Sequence, residues 1–180
     1  TLVWDNENRL KQSIDTQYTT DYRYDANGER ILKSSDMGEL EYVSASYVVR
    51  NGTIVSKHVF AGNGRVASTV GNLTDEGKTT TNSVLYYHPD HLGSSSYVTD
   101  KQGRFYEAIE YLPYGETLYN ERTESDGVSY KYTGKEEDAE TGLYYYGARY
   151  YDAKLCRWLS TDPAWQNTNF YEFCNNNPIN

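Results

Sequence analysis

Arg23-Tyr24-Asp25-Ala26-Asn27-Gly28-Glu29-Arg30-Ile31-Leu32-Lys33 is the stretch on which the fold turns. Asn-Gly is the preferred centre of a two-residue type I′ turn, whose twist matches that of the flanking strands. With those two residues as the loop, Ala26 faces Glu29, Asp25 faces Arg30 and Tyr24 faces Ile31. An opposite-charge pair then lies across the ladder beside an aromatic–aliphatic pair, each contributing roughly 0.2–1 kcal/mol. The pattern of aromatic, Asp, short polar turn, Arg and aliphatic returns upstream as Val3-Trp4-Asp5-Asn6-Glu7-Asn8-Arg9-Leu10-Lys11. Looser copies are Val98-Thr99-Asp100-Lys101-Gln102-Gly103-Arg104-Phe105 and Tyr151-Asp152-Ala153-Lys154-Leu155-Cys156-Arg157-Trp158. Asp and Arg therefore read as register pins rather than as catalytic groups, because chemistry needs a perturbed carboxyl and these are paired.

Working outward, Tyr47-Val48-Val49-Arg50 and Thr53-Ile54-Val55 flank a second Asn-Gly, predicting that Val49 opposes Ile54 and Val48 opposes Val55. Asn63-Gly64 marks a third hairpin between Val59-Phe60 and Val66-Ala67. The polar runs 74–82 and 120–127 read as exposed loops. Helix signals are confined to Asp162-Pro163-Ala164-Trp165, where Asp162 is a cap and Pro163 a first helical residue.

Composition agrees with an all-β chain of consecutive antiparallel hairpins. The 180 residues hold 37% hydrophobic residues, but 20 are Tyr and 14 Gly, with only 4 Pro. Mean hydropathy is −0.84, so aliphatic burial is thin. Tyr compensates, since it favours strands and buries a large ring while its hydroxyl keeps a polar partner. A net charge of −9 argues against nucleic acid, which requires a basic face. No stretch approaches the roughly 20 apolar residues of a helical membrane span. No cationic leader with an apolar core opens the sequence, so no signal peptide is expected. Cys156 and Cys174 form no disulfide framework; one bridge and two free thiols are both compatible with the count.

From residue 87 the motifs become specific. Tyr87-His88-Pro89-Asp90-His91-Leu92-Gly93-Ser94 and Tyr111-Leu112-Pro113-Tyr114-Gly115-Glu116 are followed by Tyr132-Thr133-Gly134-Lys135-Glu136. The run Glu140-Thr141-Gly142-Leu143-Tyr144-Tyr145-Tyr146-Gly147-Ala148-Arg149-Tyr150-Tyr151-Asp152 comes next. Arg157-Trp158-Leu159-Ser160-Thr161-Asp162-Pro163 and Asn176-Asn177-Pro178-Ile179-Asn180 close the series. In this order they resemble the Rhs/YD-repeat proteins. Residues 1–83 resemble the YD-repeat hairpins and 84–180 the Rhs repeat-associated core. The resemblance implies a strip of hairpins curling into part of a cocoon or shell. It also implies that the shell encloses a variable C-terminal toxin polypeptide of the same parent chain, in a secreted or cell-surface bacterial protein.

The core also resembles an aspartyl autoprotease working through two Asp-Pro motifs. Carried over, Asp162 is the first catalytic carboxylate and Arg157 the basic residue before it. The second Asp-Pro falls beyond Asn180, so this chain is expected not to cleave itself, since such a pair needs one protonated and one ionised carboxyl. Ala153 stands where the family has Pro, and Cys156 where it has a Gly free to take positive φ.

Three other readings carry expectations. His88, Asp90 and His91 have metal-like composition, but with His58 the sole remaining histidine no metal is expected, nor any cofactor. Tyr144-Tyr145-Tyr146 and Tyr150-Tyr151 are either a platform for surface glycans or strand residues packed on neighbouring hairpins. Cys156 has no histidine near it in sequence to serve as base. Unpaired strand edges would favour self-association.

Overall fold

The computed structural model describes residues 1–62, 64–74, 76–125, 127–166 and 168–179. Two antiparallel sheets account for the described strands. The first has twelve strands in strict chain order. They are β1 (Leu2–Trp4), β2 (Leu10–Ile14), β3 (Thr19–Tyr24), β4 (Arg30–Ser35), β5 (Gly38–Ser44) and β6 (Tyr47–Arg50). The sheet continues through β7 (Ile54–Ala61), β8 (Gly64–Leu73), β9 (Thr79–Pro89), β10 (Ser95–Asp100), β11 (Phe105–Tyr111) and β12 (Thr117–Arg122). The second has four strands, β13 (Glu136–Asp138), β14 (Leu143–Tyr145), β15 (Tyr150–Asp152) and β16 (Arg157–Trp158). Position 83/84 falls inside β9.

Four of the hairpins share one turn, and it is not type I′. At Asp5, Asp25, Asp90 and Asp100 the N–H three residues on donates to the Asp carbonyl, at 3.0–3.2 Å. The Asp N–H donates in turn to the carbonyl four residues on, at 2.9–3.0 Å. The third residue after each Asp takes positive φ: Asn8 at 57°, Gly28 at 85°, Gly93 at 84° and Gly103 at 76°. This is a type I turn closed by a left-handed bulge residue. Each Asp Oδ1 accepts N–H bonds from the second and fourth residues after it, and so fixes the turn.

The extra residue shifts the register. Tyr24 lies opposite Arg30 and Arg23 opposite Leu32, so Asp25 does not face Arg30 across the ladder. The residue equivalent to Arg9 is Glu29, and Arg30 is equivalent to Leu10. Asp5–Arg9 and Asp100–Arg104 do pair, but within the turn at 2.8 and 2.7 Å. At Asn51-Gly52 both residues have positive φ, as a type I′ turn requires, yet Val49 meets Val55 rather than Ile54. Asn63 lies outside the described residues. The predicted loops are shorter than 74–82 and 120–127: β9 begins at the β-branched run Thr79-Thr80-Thr81, and β12 extends to Arg122. Asp162 caps a single turn, after which Trp165 takes φ 53°, so no helix starts there. The 3-10 turns are at Tyr132–Gly134 and Cys174–Asn176.

The small sheet touches both ends of the strip. Tyr145 Oη accepts the Arg30 N–H at 2.8 Å, while neighbouring Tyr144 Oη donates to the Gly115 carbonyl beyond β11. A flat sheet would place β4 and β11 seven spacings apart, roughly 34 Å. Adjacent residues of one strand cannot bridge that distance, so the strip curls around the small sheet. The concave side is aromatic: Leu10, Tyr22, Leu143 and Tyr150 pack near one end. Tyr132, Tyr144, Tyr151, Ala153, Trp158 and Phe173 form the cluster at the other.

Candidate functional site

Asp162 follows β16, its side chain buried at the start of an exposed loop. Its Oδ1 accepts the Ala164 N–H at 3.0 Å and its Oδ2 the Gln166 N–H at 3.4 Å. Those backbone bonds, above all the one from Ala164, together with Arg149, hold its carboxyl below the ordinary range against the opposing effect of burial. The guanidinium beside it is that of Arg149, 3.8 Å away and stacked 4.1 Å over Trp158. Arg157 is exposed, lies 4.7 Å over the Tyr171 ring and forms a β-bridge with Glu172. The β15–β16 ladder puts Arg157 on the opposite strand face from Trp158, over which Arg149 stacks.

The His-Pro-Asp-His motif disperses. His88 Nε2 bonds Thr99 Oγ1 at 3.1 Å, Asp90 fixes its turn, and His91 Nε2 donates to the Ile179 carbonyl at 3.2 Å. Among the described residues no cluster of three or more His, Cys, Asp or Glu is placed to hold a metal. The tyrosine run is not a surface platform: Tyr144, Tyr150 and Tyr151 are at most 2% exposed, and Tyr145 is locked against Arg30. Cys156 and Cys174 are free and exposed.

Cys156 takes φ 56°, the conformation natural to the Gly it stands for. Left-handed backbone costs a non-glycine residue roughly 1–2 kcal/mol. Cys156→Gly is accordingly expected to raise the urea-unfolding free energy by about 1 kcal/mol, after the loss for a more flexible unfolded chain.

A buried charged seam escaped sequence reading. Arg30 Nη1 bonds Asp138 at 2.8 Å and its Nη2 bonds Glu136 at 2.8 Å. Lys33 Nζ lies 3.1 Å from Asp138 and 3.0 Å from Glu140. All five side chains are at most 8% exposed. Tyr42 and Tyr150 hydroxyls and Ser35 Oγ supply further bonds. The Arg30 guanidinium also lies 4.3 Å from the Tyr145 ring and 4.6 Å from Tyr42. Burial disfavours both cations, but Asp138 and Glu136 outweigh it and hold Arg30 and Lys33 charged above their ordinary ranges. The signal was present in Glu136-x-Asp138-x-Glu140, whose alternation puts three carboxyls on one strand face.

A second buried pair, His58 and Arg65, borders Tyr130, whose ring lies 4.9 Å and 3.2 Å from them respectively. Burial, then the Arg65 charge, depresses His58 to about 3. The unfolded imidazole protonates near 6.5, so His58 stabilises the fold fully above that pH and loses its contribution as pH falls towards 3. Between pH 6 and 5 the slope attributable to His58 approaches about 1.4 kcal/mol per pH unit. Urea midpoints at pH 7 and 5 are expected to separate more for the native chain than for His58→Gln; equal separation would disprove the assignment.

The Teneurin YD-shell model matches residues 71–179, more than half the chain. The chain belongs to the YD-shell family. This YD-shell segment is 32% identical to Toxin subunit YenC1 of Yersinia entomophaga, over 88% of the segment and 18% of that protein. It is 30% identical to Salivary gland surface protein 1 of Aedes aegypti, over 95% of the segment and 5% of that protein. Against the tRNA3(Ser)-specific nuclease WapA of Bacillus spizizenii identity is 30%, over 99% and 8%. The crystal structure of TcdB2-TccC3 superposes with a TM-score of 0.84 at 29% identity, over 99% of the segment and 10% of that chain. The segment thus spans less than a fifth of these relatives. Among its described residues no helix is long and apolar enough to cross a membrane.

Proposed function

We propose that this YD-shell segment forms the last hairpins and the inward-turned end piece of a shell that encloses a toxic polypeptide following it in one parent chain, in a secreted bacterial protein. One observation carries this reading: a continuous twelve-strand strip curls around a four-stranded sheet, each sheet supplying part of the other's core. A strip built this way walls off space, and a sheet seated within it closes an end. Relatives named as toxin subunits and a nuclease support an enclosed toxic activity. On this reading residues 1–83 are wall, and 84–180 add the last wall strands β9 to β12 and the closing sheet β13 to β16. The test is limited proteolysis of the parent polypeptide: the region after the shell should resist digestion until urea unfolds the shell. Digestion at the rate of an unfolded chain in buffer would refute it.

A second reading rests on Asp162, a buried ionised carboxylate beside Arg149 and next to Pro163. With a second, protonated carboxyl brought near, it would act as the base of a self-cleaving pair. A version extended through a further Asp-Pro should fragment on expression and stay whole as Asp162→Asn; a native version that stays whole ends the proposal.

A further inference from the structure

Counting from the turn Asp as position zero, the fifth and eighth residues share one face of their strand in each of the four shared hairpin frames, the core face in the first three and the outer face in the last. They are Leu10 and Ser13, Arg30 and Lys33, Ser95 and Val98, and Phe105 and Ala108. The first three pairs are at most 5% exposed, and the last is half-buried. Of the four, the β3–β4 hairpin alone carries cations there. The fourth residue, by contrast, lies at the turn exit, where Arg9 and Arg104 fold back on their own Asp. One step in register therefore decides whether a hairpin arginine clamps its own turn or reaches another part of the fold. The surface that Arg30 and Lys33 meet is an acidic comb. Glu136, Asp138 and Glu140 alternate along and just past β13, while Glu137 turns to the opposite side and pairs with Lys131.

We propose that Arg30 and Lys33 are a docking address: they select the β3–β4 hairpin, among otherwise similar hairpins, as the one on which the end piece seats through Glu136, Asp138 and Glu140. A neighbouring hairpin presents Leu10 and Ser13 at the same two positions, and these offer the comb no charge. Mis-seating by one hairpin would bury three carboxyls against an apolar and a hydroxyl side chain, which is strongly unfavourable. A strip of repeated hairpins thus gains a unique stopping point, so the curl always closes at the same place. The inference deepens the shell reading but concerns the seam alone, and it holds or fails whether or not anything is enclosed.

The test transplants the neighbour's residues, as Arg30→Leu with Lys33→Ser, and follows hydrogen exchange by mass spectrometry on this chain. Amides of β3, β4 and β13 to β15 should exchange at least about tenfold faster, while β6 to β8 keep native rates. Adding Glu136→Gln, Asp138→Asn and Glu140→Gln should restore slow exchange in β13 to β15, because removing a whole buried ion network is far less costly than removing half. Equal acceleration in every strand, or no recovery on neutralising the comb, would overturn the proposal. Should the two-site variant fail to fold, folding of the five-site variant would support the address and its failure would refute it.

Discussion

Asp138→Ala is expected to lower the unfolding free energy by about 3–5 kcal/mol, as half-broken buried ion networks do. Asp138 is fully buried and is the carboxylate shared by Arg30 and Lys33. Its removal leaves two cations in a buried seam with Glu136 and Glu140 alone, each at one end. A domain of this size has about 5–15 kcal/mol in total, so the variant should sit near its folding threshold. The measurement is urea unfolding at pH 7 followed by far-ultraviolet circular dichroism. Glu76→Ala provides the contrast: its pair with Lys78 is about three-quarters exposed, and the expected loss is below about 1 kcal/mol. A similar small loss for Asp138→Ala would show that the seam contributes little to holding the two sheets together.

The seam also marks where sequence reading stopped. Tyr and Gly content, the Asn-Gly pairs and the repeating Asp made an all-β strip legible, because hairpin turns are local chemistry. Register was not: the bulge after Asp25 adds one residue to the turn, and that residue converts Arg30 from a cross-strand pin into a buried docking group. A period-2 structure amplifies such a step, since one residue moves a side chain to the other face. The carboxyls that meet Arg30 lie more than a hundred residues away, and no local pattern joins them. Asp162 was legible as a turn cap, whereas the Arg149 guanidinium beside it was not, because only the fold of β14 to β16 brings the two together.

The aromatic core supplies the other large effect, and Tyr151 is its centre. The residue is fully buried, with Phe173 stacked at 4.0 Å and Trp158 edge-on at 5.5 Å. Tyr144 and Tyr146 lie 6.5 and 5.9 Å away, and the hydroxyl donates to the Tyr114 carbonyl at 2.7 Å. Truncating a ring packed on so many sides leaves a cavity that rigid aromatic neighbours cannot fill, so Tyr151→Ala is expected to cost about 3–5 kcal/mol. Tyr151→Phe separates packing from hydrogen bonding. It keeps every ring contact and removes one donor from a part-buried carbonyl, for an expected loss of about 1–2 kcal/mol. Because the hydroxyl ties β15 to the β11–β12 turn, the Phe variant should loosen that turn first, seen as faster amide exchange at Gly115 and Glu116. If the Ala and Phe variants lose equal stability, the ring cluster is not what holds the small sheet in the strip, and the hydroxyl bonds to the strip backbone must carry the attachment instead.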